Sequence, residues 1–341
     1  MRHRIVLLPG DGIGSEVTQA AARVLAATKL DIATEQHPIG GAAIDRHGEP
    51  LPLATRDACI QADAVFLGAV GGPQWEGAPQ RPEQGLLALR QALDTYANLR
   101  PITLQTGLEA LSPLKPERCA GTDLLIVREL TGGLYFGERS EGSEIATDQC
   151  RYTKAEVERV ARVAFAAAQA RRGKLTSVDK ANVLATSRLW RDVVNAVAAD
   201  YPEVAVEHVL VDAMAMKLIE RPTQFDVILT ENLFGDILSD EASVIAGSIG
   251  LAPSASLGGE HGGLYEPIHG SAPDIAGQGK ANPLGAILSM AMLLRHGLNE
   301  GAAAGRIEVA VQSAVADGIG TADLGRGNST EEVTAAVCRR L

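Results

Sequence analysis

FDVILTENLFGDILSDEA, residues Phe225 to Ala242, changes its period halfway along. The first part, Asp226 to Thr230, is a short apolar run rich in β-branched residues and reads as a buried strand. The second part places Asp236 and Asp240 four residues apart, about 5 to 6 Å from each other on one face of a helix. Two hard carboxylates at that spacing suit one Mg²⁺, which takes oxygen ligands at roughly 2.1 Å. An isolated acid pair on a helix is more often a solvated face. This pair follows the C-terminal end of a strand, where open α/β folds hold their ligands.

Further strands are expected at Arg4 to Leu8, Ala64 to Val70, Leu124 to Leu130 and Val206 to Asp212. Helical patterns lie between them. The clearest runs from Thr153 to Arg172, with Val157, Val160, Ala161, Ala164, Phe165 and Ala168 on one stripe, a Thr153/Glu156 capping box and Gly173 as the stop. Others carry Val17, Ala20, Ala21, Val24 and Leu25, or run from about Pro283 to His296. Alternating strand and helix predicts an α/β fold. The Gly- and Pro-rich stretch from Gly247 to Asn282 is too long for an ordinary connection and is read as a functional loop.

With 341 residues, 46% of them apolar, the chain can bury a large core and is expected to divide into two lobes. A net charge of −11 argues against nucleic acid or an anionic membrane as partner. Cys59, Cys119, Cys150 and Cys338 form neither a CxxC pair nor a disulfide framework. With no signal-peptide pattern or apolar run of spanning length, a cytoplasmic location is expected.

LLPGDGIGSE, Leu7 to Glu16, imitates a dinucleotide fingerprint, but Ser15 stands where the third glycine belongs. It is read as a tight strand-to-helix turn whose glycines also leave room for a ligand. In EPIHGSAPDIAGQGKANP, Glu266 to Pro283, backbone donors and Asn282 suit an adenine edge, while Asp274 suits ribose hydroxyls and disfavours a 2′-phosphate. His269 lies in the same segment. Arg90, Arg100 and Arg128 would each ordinarily cover apolar surface or pair on the outside. Together they suggest a dicarboxylate clamp, because guanidinium bonds carboxylate through two donors. Tyr135 would ordinarily be a half-buried aromatic with a wet hydroxyl, and Lys180 a surface lysine. Lys180, flanked by Asp179 and Asn182 after a strand, is a candidate tuned base.

LLPGDGIGSEV, GGAAID, LGAVGGP, GLLALR, ANLRP, VRELTGGLYFGE, SVDKANVL, VDAMAMKL, ENLFGDILSDEAS and HGSAPDIAGQGKANP, in this order, resemble the β-decarboxylating dehydrogenases of the isopropylmalate and isocitrate type. The resemblance runs nearly end to end. It implies a two-domain α/β sandwich with a long mixed sheet, not a Rossmann fold, and usually a homodimer. The implied cofactor domain is residues 1–97 with 246–341, and the substrate, metal and dimerisation domain is 98–245. NAD and Mg²⁺ or Mn²⁺ are the implied cofactors.

Carried over by position, Arg90, Arg100 and Arg128 would hold malate carboxylates, and Asp236 and Asp240 would bind metal with Asp212 from the second subunit. Lys180, also from the second subunit, would act as base, directly or through Asp212 and water, and Tyr135 as the acid that protonates the decarboxylated carbon. Asp274 marks NAD use, with Glu266, His269, Gly270, Ser271, Ala272, Ile275 and Asn282 in the same segment. Glu83, Leu86 and Leu87 would meet the nicotinamide and the substrate side chain, and Val183 would line that pocket. Two leucines offer an isopropyl group about 0.8 kcal/mol per carbon, on the order of 50-fold in all, and leave a third carboxylate unpaired. Homoisocitrate, tartrate, D-malate and other 3-substituted malates remain competitors, as does a non-catalytic regulatory relative. EGSEIATDQCRYT, Glu141 to Thr153, matches a dimer arm but is shorter than in many relatives, and SLGGEHGGLYEP, Ser256 to Pro267, also departs from the family pattern.

Overall fold

The computed structural model describes residues 2–259 and 261–341; Met1 of the opening segment and Glu260 of the departing 256–267 loop lie outside them. The chain forms two compact units, Met1–Thr95 with Ser248–Leu341, and Tyr96–Gly247. The α/β class expected from the sequence is borne out, with strands and helices interleaved along the chain and the strands joined in mixed ladders.

In the first unit, β1 (His3–Gly10) lies between β2 (Ile32–Gln36) and β3 (Ala64–Ala69), parallel to both. Ile5, Val6, Leu7 and Leu8 are all buried, as a parallel strand covered on both faces requires. The helix Gly14–Ala27 buries the expected stripe of Val17, Ala20, Ala21, Val24 and Leu25. In the second unit, β4 (Thr95–Thr103) pairs antiparallel with β5 (Asp123–Glu129). A two-residue hairpin follows, β6 (Arg139–Ser140) with β7 (Thr147–Asp148), in the segment that resembles a dimer arm. Beyond it β8 (Lys174–Asp179) runs parallel to β9 (Ala205–Leu210), and β10 (Val227–Thr230) is parallel to both β5 and β8. The helix Lys154–Ala170 has its capping box: Thr153 N donates to Glu156 Oε2 at 2.6 Å and Glu156 N to Thr153 Oγ1 at 3.3 Å.

Three expectations are corrected. The stretch from Gly247 to Asn282 is not one loop, because β11 (Pro253–Gly258) and β12 (Leu264–Pro267) pair antiparallel within it. Small residues such as Ala255 and the buried Ser254 and Ser256 give β11 none of the usual strand signal. The strand expected through Asp212 ends at Leu210, and Val211–Glu220 is a helix that buries Met214 and Leu218 on one face. The helix begun at Leu284 ends as α-helix at Met292 and continues as a π turn, Leu293–Gly297. Among the described residues no helix is long and apolar enough to cross a membrane.

Candidate active site

Asp236 and Asp240 lie on the helix Asn232–Ile245, which starts directly after β10. The helix sits close to β5 because residue 235 is glycine. A Cβ there would come within 2.2 Å of Thr230 Oγ1 and 2.6 Å of Arg128 Cγ. Glu231 caps the helix, its carboxylate accepting from Phe234 N at 2.8 Å.

Both acids meet arginines from the paired strands. Arg128, 2% exposed on β5, bonds Asp236 Oδ1, and Arg100, 8% exposed on β4, reaches Asp240 at 3.1 Å and Asp236 at 3.7 Å. Tyr135, in a turn at Gly133–Phe136, donates its hydroxyl to Asp236 Oδ2 at 2.9 Å beneath the Arg128 guanidinium, 5.7 Å from its ring centre. Its hydroxyl is therefore not merely wet. Burial, then the Asp236 carboxylate, raises the Tyr135 pKa, so the phenol keeps its proton.

Residues that the sequence reading passed over aim these groups. Asn98 Oδ1 accepts from Arg100 Nε at 2.9 Å, two residues along the same strand face, and Ser239 Oγ accepts from Arg100 at 2.6 Å. Asn232 Oδ1 takes two donors of Arg128, at 2.7 and 3.2 Å. Asn98 was detectable by its period-two spacing from Arg100; Asn232 and Ser239 had only their place beside the acids.

Behind Asn232 lies a buried group of acids. Tyr152 Oη accepts from Asn232 N at 3.0 Å and stands 3.2 Å from Glu129 and 3.3 Å from Glu231. A phenol has one hydrogen to give, so two carboxylate anions cannot both be satisfied by it. The network closes when Glu231 donates a proton to Oη and Oη donates to Glu129. Glu129 is the better anion, since Thr131 N, Thr131 Oγ1 and Gly132 N already bond it. Burial raises the pKa of both acids.

Lys180 follows β8, and its ammonium lies 2.9 Å from Asp212, in the first turn of the helix Val211–Glu220. The Lys180 hydrogen bond lowers the Asp212 pKa. Asp179 turns inward, taking two Arg191 bonds at 2.8 Å and Ala181 N at 2.8 Å. Asp212 is not gathered with Asp236 and Asp240: among the described residues no three His, Cys, Asp or Glu are placed to hold a metal. Val183 stands 62% exposed.

In the first unit, Arg90 pairs with Glu266 at 2.8 Å, joining two expected site residues in one ion pair. Glu83 and Leu87 project from the same helix as Arg90, Pro82–Ala92, while half-buried Leu86 packs against the core around Leu89 and Leu93. The segment after β12 is irregular. Gly270 is exposed, the Ser271 carbonyl accepts from Ile13 N at 2.8 Å, Ala272 has φ +37°, and Asp274 is exposed beside half-buried Ile275. A Cβ on Gly12 would fall 2.0 Å from Ser271 O, so this segment fills the space that the glycine turn was expected to offer a ligand. His269 bonds Gly270 O through Nδ1, and its Nε2 is buried with no partner among the described residues. Burial lowers its pKa and keeps the ring neutral. Asn282 is buried, its Nδ2 on Asp323 at 2.9 Å and its Oδ1 accepting from Leu284 N.

The family model described as isocitrate/isopropylmalate dehydrogenase matches residues 4–337. A 3-isopropylmalate dehydrogenase of Staphylococcus saprophyticus is 55% identical over 98% of this chain and 98% of its own. Among solved structures, an isocitrate dehydrogenase of Methylococcus capsulatus superposes with TM-score 0.91 at 38% identity, covering 99% of both chains. A β-decarboxylating dehydrogenase of Thermococcus kodakarensis superposes at 0.84 and 40% identity, over 99% of this chain and 96% of that one.

Proposed function

The chain belongs to the isocitrate/isopropylmalate dehydrogenase family, and we propose that it oxidises and decarboxylates 3-isopropylmalate to 4-methyl-2-oxopentanoate with NAD⁺, a step of leucine biosynthesis. The observation that carries this reading is the cluster of Asp236, Asp240, Arg100, Arg128 and Tyr135 in one unit. Its charges cancel: two guanidinium groups face two carboxylates. A divalent cation and a substrate dicarboxylate add equal and opposite charge, so the acids can turn to the metal and the arginines to the substrate with the balance kept.

The donor set fits Mg²⁺ or Mn²⁺. Asp236 and Asp240 are hard oxygen donors one turn apart, and the Asp240 side chain is 62% exposed. Asp212 of a second copy would complete the set, so metal affinity, dimerisation and activity should be lost together on dilution; a fully active monomer would contradict this. A divalent cation held by these acids would act as a Lewis acid, stabilising the negative charge that develops on the substrate oxygen during decarboxylation. For NAD⁺, the buried His269 Nε2 wants a partner, and Asp274 is free to accept ribose hydroxyls. Because Asn282's amide oxygen is committed to Leu284 N, the adenine edge falls to backbone groups and the remaining amide hydrogen.

Lys180 of the second copy, once its ammonium proton has passed through Asp212 to water, takes the C2 hydroxyl proton as the substrate gives up hydride. Loss of CO₂ leaves C3 to be protonated by Tyr135, whose phenol is held in its acid form. Arg90, Arg100 and Arg128 fix the carboxylates. Leu87, with Leu86 partly spent on the core, presents the alkyl pocket and gives a third carboxylate nothing to bond. The four free cysteines suit a reducing cytoplasm. The deciding experiment is NADH formation with Mg²⁺ or Mn²⁺ across 3-alkylmalates, homoisocitrate, D-malate, tartrate and isocitrate. The highest kcat/KM belongs to 3-isopropylmalate; a higher value for any of the others overturns the substrate.

A further inference from the structure

The segment from Gly270 to Asn282 has little regular structure of its own. Inside it run the backbone turn bonds Ile275 N to Ala272 O and Gln278 N to Ile275 O, each at 3.2 Å, with the Gln278 amide on Asp274 O at 2.7 Å and Lys280 Nζ on Gln278 Oε1 at 2.8 Å. Its position is set by ties to other parts of the first unit. Ile13 N holds Ser271 O at 2.8 Å. From the helix Thr330–Cys338, Thr330 N holds Gly279 O at 2.9 Å and Thr330 Oγ1 holds Ala281 O at 2.6 Å. Among the described residues, Asp323 ties the Asn282 side chain at 2.9 Å, and one charged side chain ties the segment's backbone. Glu16, in the first turn of the helix Gly14–Ala27, accepts from Gly277 N through Oε1 and from Gly279 N through Oε2, the second at 3.2 Å. Gly277 and Gly279 have φ +74° and +65°. Those conformations turn both N–H groups toward one carboxylate, and residues with a Cβ rarely adopt them.

We propose that Glu16 is a positioning residue for NAD⁺: its carboxylate clamps the backbone of Gly277 and Gly279 and so holds Asp274 and Ile275 ready for the adenosine. This rests on the proposed use of NAD⁺. Two charge-assisted bonds to backbone donors are the strong kind, and without them the segment spends much of its time elsewhere. Apparent affinity then falls by the fraction of time the competent arrangement is occupied. The bonds of Glu16 go to the segment's backbone within the first unit, so the cost falls on NAD⁺.

The test compares wild type, Glu16→Ala and Glu16→Gln as full-length enzyme with Mg²⁺. Readouts are the NAD⁺ Kd by calorimetry without substrate, both KM values, kcat, and amide hydrogen exchange across residues 271–281. Glu16→Ala raises the Kd and KM for NAD⁺ about tenfold, leaves kcat and the substrate KM within about twofold, and speeds exchange in the segment. Glu16→Gln, whose single oxygen replaces one bond, falls between and covers the case in which the alanine variant fails to fold. An unchanged NAD⁺ Kd in either folded variant, or an equal loss in kcat and both KM values, overturns the clamp. A wild-type protein that neither binds nor reduces NAD⁺ sinks the cofactor reading, and the clamp with it. Normal wild-type binding that both variants match sinks the clamp alone.

Discussion

The acid–arginine cluster of the second unit and the Gly270–Asn282 segment of the first are built in opposite ways. In the cluster, chemistry sits on side chains rooted in strands and a helix, and buried neighbours such as Asn98, Asn232 and Ser239 fix each one. In the segment, most polar groups are backbone, little regular structure holds them, and a few side chains reach in from outside. Rigid side-chain sites suit steps in which a proton or charge must move at a defined atom. Backbone sites suit recognition of a cofactor that is bound and released unchanged in its frame. The first kind should fail steeply when one atom is removed, the second by degrees.

The steepest failure belongs to Lys180. Lys180→Met should abolish the single-turnover burst of NADH, with kcat down by about 10² to 10⁴-fold, the usual contribution of a positioned acid or base. Tyr135→Phe should keep the burst and slow only the steady state, because its proton is used after hydride has left. Rapid-mixing absorbance at the NADH band separates the two. A normal burst in the lysine variant removes Lys180 from the first step.

The same contrast decides what could be read from sequence. Asp236 and Asp240 were legible because a helix fixes the geometry of an i, i+4 pair, and the helix could be read from its pattern and its place after β10. The arginines were legible by type, but their aim was not. Asn98 holds Arg100 from two residues away, but Asn232 and Ser239 hold the arginines across more than 100 residues, and no local rule encodes that. Asp212 reads as the end of a strand because Val206, Val209 and Val211 are β-branched, whereas Met214 and Leu218 bury a helical face beyond it. In the first unit, β11 hides among serines and alanines, and the sequence marks Glu16 only as an acid in a first helical turn. Its partners are glycine N–H groups more than 250 residues away, which leave no trace in composition.

A graded loss is expected at Asp274. The acid repels a 2′-phosphate while accepting ribose hydroxyls, so Asp274→Lys should weaken NAD⁺ and strengthen NADP⁺, each by about tenfold at low ionic strength. The ratio of the two kcat/KM values measures it. Because the segment's backbone ties do not involve the Asp274 carboxylate, kcat with saturating cofactor should stay near wild type. A collapse of kcat would mean that the side chain does more than recognise ribose, and the contrast between the two regions would be overdrawn.

The smallest effect concerns stability, and it probes how the cluster is held from behind. Glu129, Tyr152 and Glu231 share too few protons to satisfy two anions, and the network closes with Glu231 protonated. Burial is the main cause of the raised pKa of Glu231, opposed by the N–H groups of Phe234 and Leu233 and by Arg128. An acid whose pKa is higher folded than unfolded favours folding fully below the unfolded value, about 4.3 for Glu. That stability is lost as pH rises through the folded value, because the unfolded chain releases the proton first. Glu231→Gln replaces the protonated acid with a neutral group of the same shape, whose amide still donates to Tyr152 Oη. Its melting temperature should therefore decline less than that of wild type between pH 5 and 8, by a few degrees, on the order of 1 kcal/mol. Glu129→Gln should instead lower the melting temperature across that whole range, since a glutamine there sets an amide donor or a single oxygen against Thr131 N, Gly132 N and Tyr152. Equal losses from the two variants across that range would show the proton to be on Glu129 or shared evenly, and Asn232 would then be aimed at Arg128 by packing alone.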